Sequence, residues 1–118
     1  MFNKMETKAY HEICNKPSSF SRQELEQTLT ALEKAGSNKK VLVSGVLKSK
    51  PVEKPDLHQG GNEADYFLIQ IAIKDAEEIA AELGTLEVQA VSTEGHTTPE
   101  ATHYASLLDK WFNYVESL

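Results

Sequence analysis

The sequence YFLIQIAI, residues 66–73, is the longest apolar run of the chain, interrupted only by Gln70, and decides the predicted fold. Apolar side chains occur on both faces of this segment if it is extended, with Phe67, Ile69, Ile71 and Ile73 on one face and Tyr66, Leu68 and Ala72 on the other. A strand that is apolar on both faces belongs in the middle of a sheet. The run therefore predicts a central β-strand.

Two other segments predict strands on either side of this one. Residues 41–49, VLVSGVLKS, are rich in β-branched residues. Residues 85–93, TLEVQAVST, alternate apolar and polar residues, which is typical of a strand with one solvent-exposed face. Between residues 73 and 85 a short helix is predicted, with Asp75 as its N-cap and Gly84 as its stop. Such a crossover makes strands 66–73 and 85–93 parallel, whereas strand 41–49 is predicted to be antiparallel to the central strand.

Caps and apolar spacing predict three further helices. The first covers residues 3–15. The second begins where Ser21 and Glu24 have the spacing of a capping box, and it ends at Gly36. The last begins in the sequence TTPEA, with Pro99 in an early helical position, and runs to the end of the chain.

The predicted element order is helix, helix, strand, long loop, strand, short helix, strand, helix. It indicates an α+β domain with a three-stranded mixed sheet covered by helices, and it resembles a ferredoxin-like topology that lacks its first strand. An OB-like barrel with added helices is the alternative, although that fold needs five strands. We expect a single domain over residues 1–118, in which residues 50–64 form a long flexible loop.

Composition and charge exclude several classes of protein. The single cysteine excludes an internal disulfide framework and indicates a reducing, cytoplasmic compartment. No apolar run approaches the roughly 20 residues that a membrane span needs. Residues 65–118 carry two lysines against ten Asp and Glu, a net charge of −8. This charge disfavours nucleic acid and favours a protein partner with a basic surface.

The polar residues show no catalytic or metal-binding pattern. The four histidines and Cys14 lack HxxxH or CxxC spacing, and the glycine pair in HQGGNEAD does not open a helix as a phosphate loop would. The carboxylates of the predicted helix 75–84 have an exposed pattern that gives no desolvated general acid. We therefore predict a protein without enzymatic activity, cofactor or bound metal.

Three surfaces are predicted to contact a partner: the loop, the acidic helix and the last helix. Their predicted contact residues are Lys50, Lys54, Leu57 and His58 in the loop, Glu77, Glu78 and Glu82 in the acidic helix, and Tyr104, Trp111 and Tyr114 in the last helix. Tyr and Trp are residue types that anchor protein interfaces. The wide apolar stripe of the last helix is explained either as the cover of the sheet or as a surface that joins two copies of the chain.

These observations predict a non-catalytic cytoplasmic protein that acts by protein–protein interaction, of the inhibitor, immunity or adaptor type. A single-stranded nucleic-acid-binding module of OB-like type is one alternative, with Lys48, Lys50 and Lys54 along the backbone and Tyr66 and Phe67 as stacking surfaces. A domain that senses a small ligand between sheet and helices is the other.

Overall fold

The computed structural model describes residues 12–52, 65–91, 95–96 and 98–118. Its elements follow in the order β1 (Ser19–Ser21), α1 (Arg22–Ala35), α2 (Lys40–Leu47), β2 (Tyr66–Leu68), α3 (Ile73–Ala90) and α4 (Pro99–Glu116). Within the described residues, β1 and β2 form a two-stranded antiparallel sheet with Phe20 opposite Phe67. The protein is therefore mixed α/β and mostly helical.

Helices α3 and α4 form an antiparallel hairpin, which is the most extensive contact between two elements. At one end the Thr98 hydroxyl donates a hydrogen bond of 2.7 Å to the Ala90 carbonyl. At the other end the Tyr114 hydroxyl donates to the Ile71 carbonyl at 2.8 Å and accepts from the Ile71 N–H at 2.9 Å. Both ends of the hairpin are thus held by side-chain to backbone hydrogen bonds.

An aromatic cluster lies where the sheet, α1 and α4 meet. The Phe20 ring is 4.6 Å from Trp111 and 6.1 Å from Tyr114, and Trp111 and Tyr114 meet edge to face at 6.1 Å. All three side chains are buried, as is Phe67 on β2. Offset and edge-on ring pairs are the favourable arrangements of aromatic side chains, so this cluster forms the centre of the core.

The predicted beginning and end of α1 and the predicted beginning of α4 are confirmed, whereas α4 ends at Glu116 rather than at the last residue. The Ser21 hydroxyl accepts from the Glu24 N–H at 3.1 Å, and the Glu24 carboxylate accepts from the Ser21 N–H at 2.8 Å, which completes the capping box. Gly36 ends α1 in the left-handed conformation with φ of 70°. Thr98 caps α4 and Pro99 is its first residue. Local capping chemistry determines these boundaries.

The prediction of a strand at residues 41–49 is wrong, because α2 covers Lys40–Leu47. Val43 is buried, and Val46 and Leu47 pack partly against the same core. These three positions are three and four residues apart, which places them on one side of a helix. Packing against the core and α1 outweighs the strand preference of valine, which depends strongly on context.

The predictions of a central strand at 66–73 and a third strand at 85–93 are also corrected. Strand β2 ends at Leu68, and α3 begins at Ile73 and continues through Gly84 to Ala90. The buried residues of α3 keep helical spacing across the glycine, namely Ala76, Ile79, Ala80, Leu83 and Leu86. A helix-interior glycine costs only about 1 kcal/mol, which this packing offsets. Within the described residues there are two strands, so neither the three-stranded ferredoxin-like sheet nor the five strands of an OB-like barrel are present.

Two other predictions fall partly on residues that the structure describes. Residues 12–14 are helical, and the rest of the predicted first helix lies outside the described residues. Of the predicted loop 50–64, residues 50–52 are described, and the Val52 N–H donates to the Tyr66 carbonyl at 2.7 Å. The chain therefore runs beside β2 at the point where the predicted loop begins.

Candidate functional site

An open apolar groove lies on the outer side of the helical hairpin. It has a volume of 370 Å³ and is lined by Ala80, Ala81 and Gly84 of α3 and by Leu108, Phe112 and Val115 of α4, with Glu77 at its edge. Phe112 is 50% exposed. A large aromatic side chain that is half exposed beside an apolar groove is the kind of feature that marks a binding site.

Small residues on α3 create the depth of this groove. Gly84 has no side chain, and a Cβ atom built there would be 3.9 Å from the Leu108 Cδ2 atom, which is ordinary van der Waals contact. Ala80 and Ala81 add only methyl groups to the same side of α3. The groove therefore lies between the small residues of α3 and the larger side chains of α4, which are Leu108, Phe112 and Val115.

The exposed apolar surface continues along α3 beyond the groove. Val88 is 73% exposed and Ile73 is also exposed. Val88 lies four residues after Gly84, and Ile73 lies eleven residues before it, so helical spacing puts both close to the same side of α3 as Gly84. An apolar strip therefore follows most of the 18 residues of α3.

Carboxylates surround the groove. Glu77, Asp109 and Glu116 are all exposed. Asp109 lies three residues before Phe112 and Glu116 lies four residues after it, so both flank the Phe112 ring on the surface of α4. The ion pairs among the described residues engage other carboxylates, those of Asp65, Asp75, Glu78 and Glu100. We call the carboxylates of Glu77, Asp109 and Glu116 the acidic rim; they outnumber Lys74, the exposed lysine three residues before Glu77, so the edge of the groove has an excess of negative charge.

A second exposed apolar surface lies on α2 and has the opposite charge. Val41 is 67% exposed and Leu42 beside it is also exposed. Lys40 and Lys48 are exposed at the two ends of the helix, and both line a shallow cleft of 420 Å³ together with Val41 and the exposed Glu33 of α1. We call Lys40, Val41, Leu42 and Lys48 the basic α2 face. The two lysines outnumber the one carboxylate, so this face has an excess of positive charge, opposite to the excess of negative charge around the groove.

The three glutamates predicted as contact residues do not lie on one surface. Glu77 is exposed at the edge of the groove. Glu78 is exposed on another side of α3, where its carboxylate lies 3.1 Å from the Lys39 ammonium. Glu82 is half-buried. Of the three, the structure places only Glu77 beside the apolar groove.

The aromatic residues predicted as contacts on the last helix lie in the core. Tyr104, Trp111 and Tyr114 are buried, so their side chains pack inside the chain rather than at its surface. Phe112 is the half-exposed aromatic residue of α4. The spacing of Leu108, Phe112 and Val115 was the signal for it, because these residues form a second apolar stripe beside the buried one. The rest of the chain packs against one side of α4 and buries only part of an apolar face of that width, which leaves Phe112 half exposed.

The loop residues among the predicted contacts are mostly beyond what the structure describes. Lys50 is described and exposed. Lys54, Leu57 and His58 lie outside the described residues. A contact role for this loop stays a prediction.

The clearest electrostatic features are ion pairs that tie helices together. The Lys34 ammonium is 2.8 Å from the Glu100 carboxylate and so links α1 to α4. This hydrogen bond lowers the pKa of Glu100 and raises the pKa of Lys34. Lys39 lies 2.8 Å from Asp75 and 3.1 Å from Glu78, and hydrogen bonds to these two carboxylates raise its pKa. These pairs have a structural role, and they lie away from the groove.

The described part of the chain shows neither a metal-binding cluster nor a membrane-spanning helix. It contains no group of three or more His, Cys, Asp or Glu side chains placed to hold a metal ion. Its helices include none with the length and hydropathy of a membrane span. Comparison with protein-family models, with curated protein sequences and with solved structures found no match for this chain.

Proposed function

We propose that this chain is a non-catalytic binding protein of the inhibitor, immunity or adaptor type, and that its groove receives an apolar anchor of a protein partner with a basic surface. The observation that carries this proposal is the half-exposed Phe112 in an apolar groove edged by Glu77, Asp109 and Glu116. A cytoplasmic location stays a prediction from the sequence.

Physical chemistry favours a protein as the ligand of such a surface. A few residues near the centre of an interface, often aromatic ones that become fully buried in the complex, contribute most of the binding free energy. Charges at the rim add little affinity, but they speed the encounter with an oppositely charged partner and exclude partners of like charge. The groove fits this pattern, because its lining is mostly apolar and carboxylates are in excess at its edge.

The two alternatives fit the groove less well. A single-stranded nucleic acid would need exposed rings for stacking, whereas the Phe67 ring is buried and lies beneath the Arg22 guanidinium at 5.2 Å. A small ligand is normally enclosed and oriented by a few polar groups. The groove is open along the hairpin, and six of its seven lining residues are apolar or glycine.

Affinity capture with matched variants tests the proposal. Tagged wild-type chain, Phe112→Ser and the control Leu118→Ser are incubated with native lysate, with and without nuclease treatment, and the captured proteins are quantified by mass spectrometry. Leu118 is a suitable control because it is 59% exposed at the end of the same chain segment and does not line the groove. Circular dichroism checks that all three proteins have the same helix content.

We expect one protein to be captured by wild type and Leu118→Ser and to be lost from Phe112→Ser. With that protein purified, the Phe112 change should weaken binding by about tenfold to a hundredfold, as the loss of an interface anchor does. Equal capture by Phe112→Ser and wild type would overturn the proposal, and so would recovery that depends on nucleic acid.

A further inference from the structure

We propose that the groove of one copy of this chain receives the basic α2 face of a second copy, so that copies associate head to tail. This inference rests on the proposed function in one respect, because it takes the groove as the binding surface. It goes further by naming the partner. The partner is the chain itself, and the segment that binds is residues 40–48.

The two surfaces complement each other in both apolar character and charge. The groove offers Leu108 and Phe112, and the basic α2 face offers Val41 and Leu42. Around the groove stand the carboxylates of the acidic rim, and at the ends of α2 stand the ammonium groups of Lys40 and Lys48. Docking α2 in the groove would bury exposed apolar surface on both copies and bring opposite charges together.

The same charges disfavour a symmetric dimer. If two grooves faced each other, the acidic rim of one copy would meet the acidic rim of the next. If two α2 faces met, Lys40 and Lys48 would oppose their own counterparts. Like charges across an interface cost free energy, so opposite surfaces are expected to pair.

The fold also prevents the basic α2 face from binding the groove of its own copy. Lys39, which precedes α2, is held by Asp75 on α3 at 2.8 Å. Asp75 lies nine residues before Gly84, which is two and a half helical turns and therefore the opposite side of α3. The basic α2 face and the groove thus lie on different sides of the hairpin. A contact between these two surfaces therefore joins two different copies of the chain. Such heterologous contacts form rings or open chains.

Sedimentation velocity of the purified full-length chain and of two charge-reversal variants tests the inference. One variant reverses the acidic rim with Glu77→Lys, Asp109→Lys and Glu116→Lys. A second variant reverses the basic α2 face with Lys40→Glu and Lys48→Glu. The control is Glu26→Lys, an exposed residue outside both surfaces. Each protein is measured over a wide concentration range at low and high salt, with helix content checked by circular dichroism.

We expect the sedimentation coefficient of wild type and Glu26→Lys to rise with concentration at low salt, and this rise to shrink at high salt. Each reversed variant alone should sediment as a monomer, because its groove and its α2 face then carry like charges. An equimolar mixture of the two reversed variants should regain the association, since each groove again meets an α2 face of opposite charge.

Two results would overturn the inference. These are a wild-type chain that sediments as a monomer at every concentration and salt, and a mixture of reversed variants that stays monomeric. A monomeric wild type that still captures a protein in a Phe112-dependent way overturns self-association alone and leaves the proposed function standing. Restored association of the mixture supports self-association whatever the capture experiment shows.

Discussion

The indole N–H of Trp111 donates a hydrogen bond to the Thr28 hydroxyl, 3.1 Å away in the core. The Thr28 hydroxyl in turn donates to the Glu24 carbonyl at 2.8 Å. Trp111 lies on α4 and Thr28 on α1, and both side chains are buried. A buried indole N–H needs an acceptor, so this pair sets the position of α4 on α1.

Thr28→Val should destabilise the fold by about 1–3 kcal/mol, because the valine has a similar shape but leaves the Trp111 N–H unpaired in the core. Thr28→Ser is the control, since it keeps the hydroxyl and loses one methyl group. Urea denaturation followed by the fluorescence of Trp111, the single tryptophan, measures both changes. A valine variant as stable as the serine variant would contradict the role given to this hydrogen bond.

Tyr114→Phe should lower the free energy of unfolding by about 1–3 kcal/mol, since it removes the partner of both the N–H and the carbonyl of Ile71. The ring itself stays in the core, so helix content should be unchanged. Relative to wild type, Tyr114→Phe should speed hydrogen exchange of the Ile71 amide more than exchange of amides in the middle of α3. Unchanged protection of Ile71 would show that the hydroxyl does not hold this segment.

Two glycine substitutions should have opposite effects. Gly36→Ala should destabilise the protein by about 1 kcal/mol, because Gly36 has φ of +70° at the end of α1. Gly45→Ala should stabilise it by about 0.5–1 kcal/mol, because Gly45 lies inside α2 and an added Cβ there meets no atom within 4 Å. Thermal and urea denaturation of both variants measure the signs. A destabilised Gly45→Ala would argue against a helix at residues 40–47.

The ion pair between Lys34 and Glu100 should make stability fall with acid. Its hydrogen bond lowers the pKa of Glu100 in the folded chain below the ordinary glutamate value. The stabilisation is therefore complete above the unfolded-state pKa and is lost as the pH falls through the folded-state pKa. Wild type should be more stable than Glu100→Gln near neutral pH, with a difference that shrinks on acidification and in high salt, since both groups are exposed.

Urea midpoints of wild type and Glu100→Gln between about pH 6 and pH 3 measure this dependence. Lys34→Met serves as the matched variant, because it removes the other partner and should reduce the same acid-dependent difference. A difference between wild type and Glu100→Gln that is constant over this range would show that the pair does not contribute to folding.

Both ends of α1 and the beginning of α4 were predictable because their causes are local. Ser21 and Glu24 cap each other across three residues, Gly36 takes a conformation that glycine adopts without strain, and Thr98 with Pro99 begins α4. None of these features depends on a distant part of the chain. The apolar stripe of α4 was predicted for the same reason, since helical spacing alone defines it.

The sequence by itself thus determined where helices α1 and α4 begin, where α1 ends, and the excess of carboxylates in residues 65–118. The tertiary structure alone decided that residues 40–47 and 85–90 are helical, because burial of Val43 and Leu86 against other helices outweighs strand preferences and the cost of Gly84. It also decided which aromatic residue is accessible. Trp111 and Tyr114 are covered by α1 and the sheet, whereas nothing in the described chain covers the outer side of Phe112.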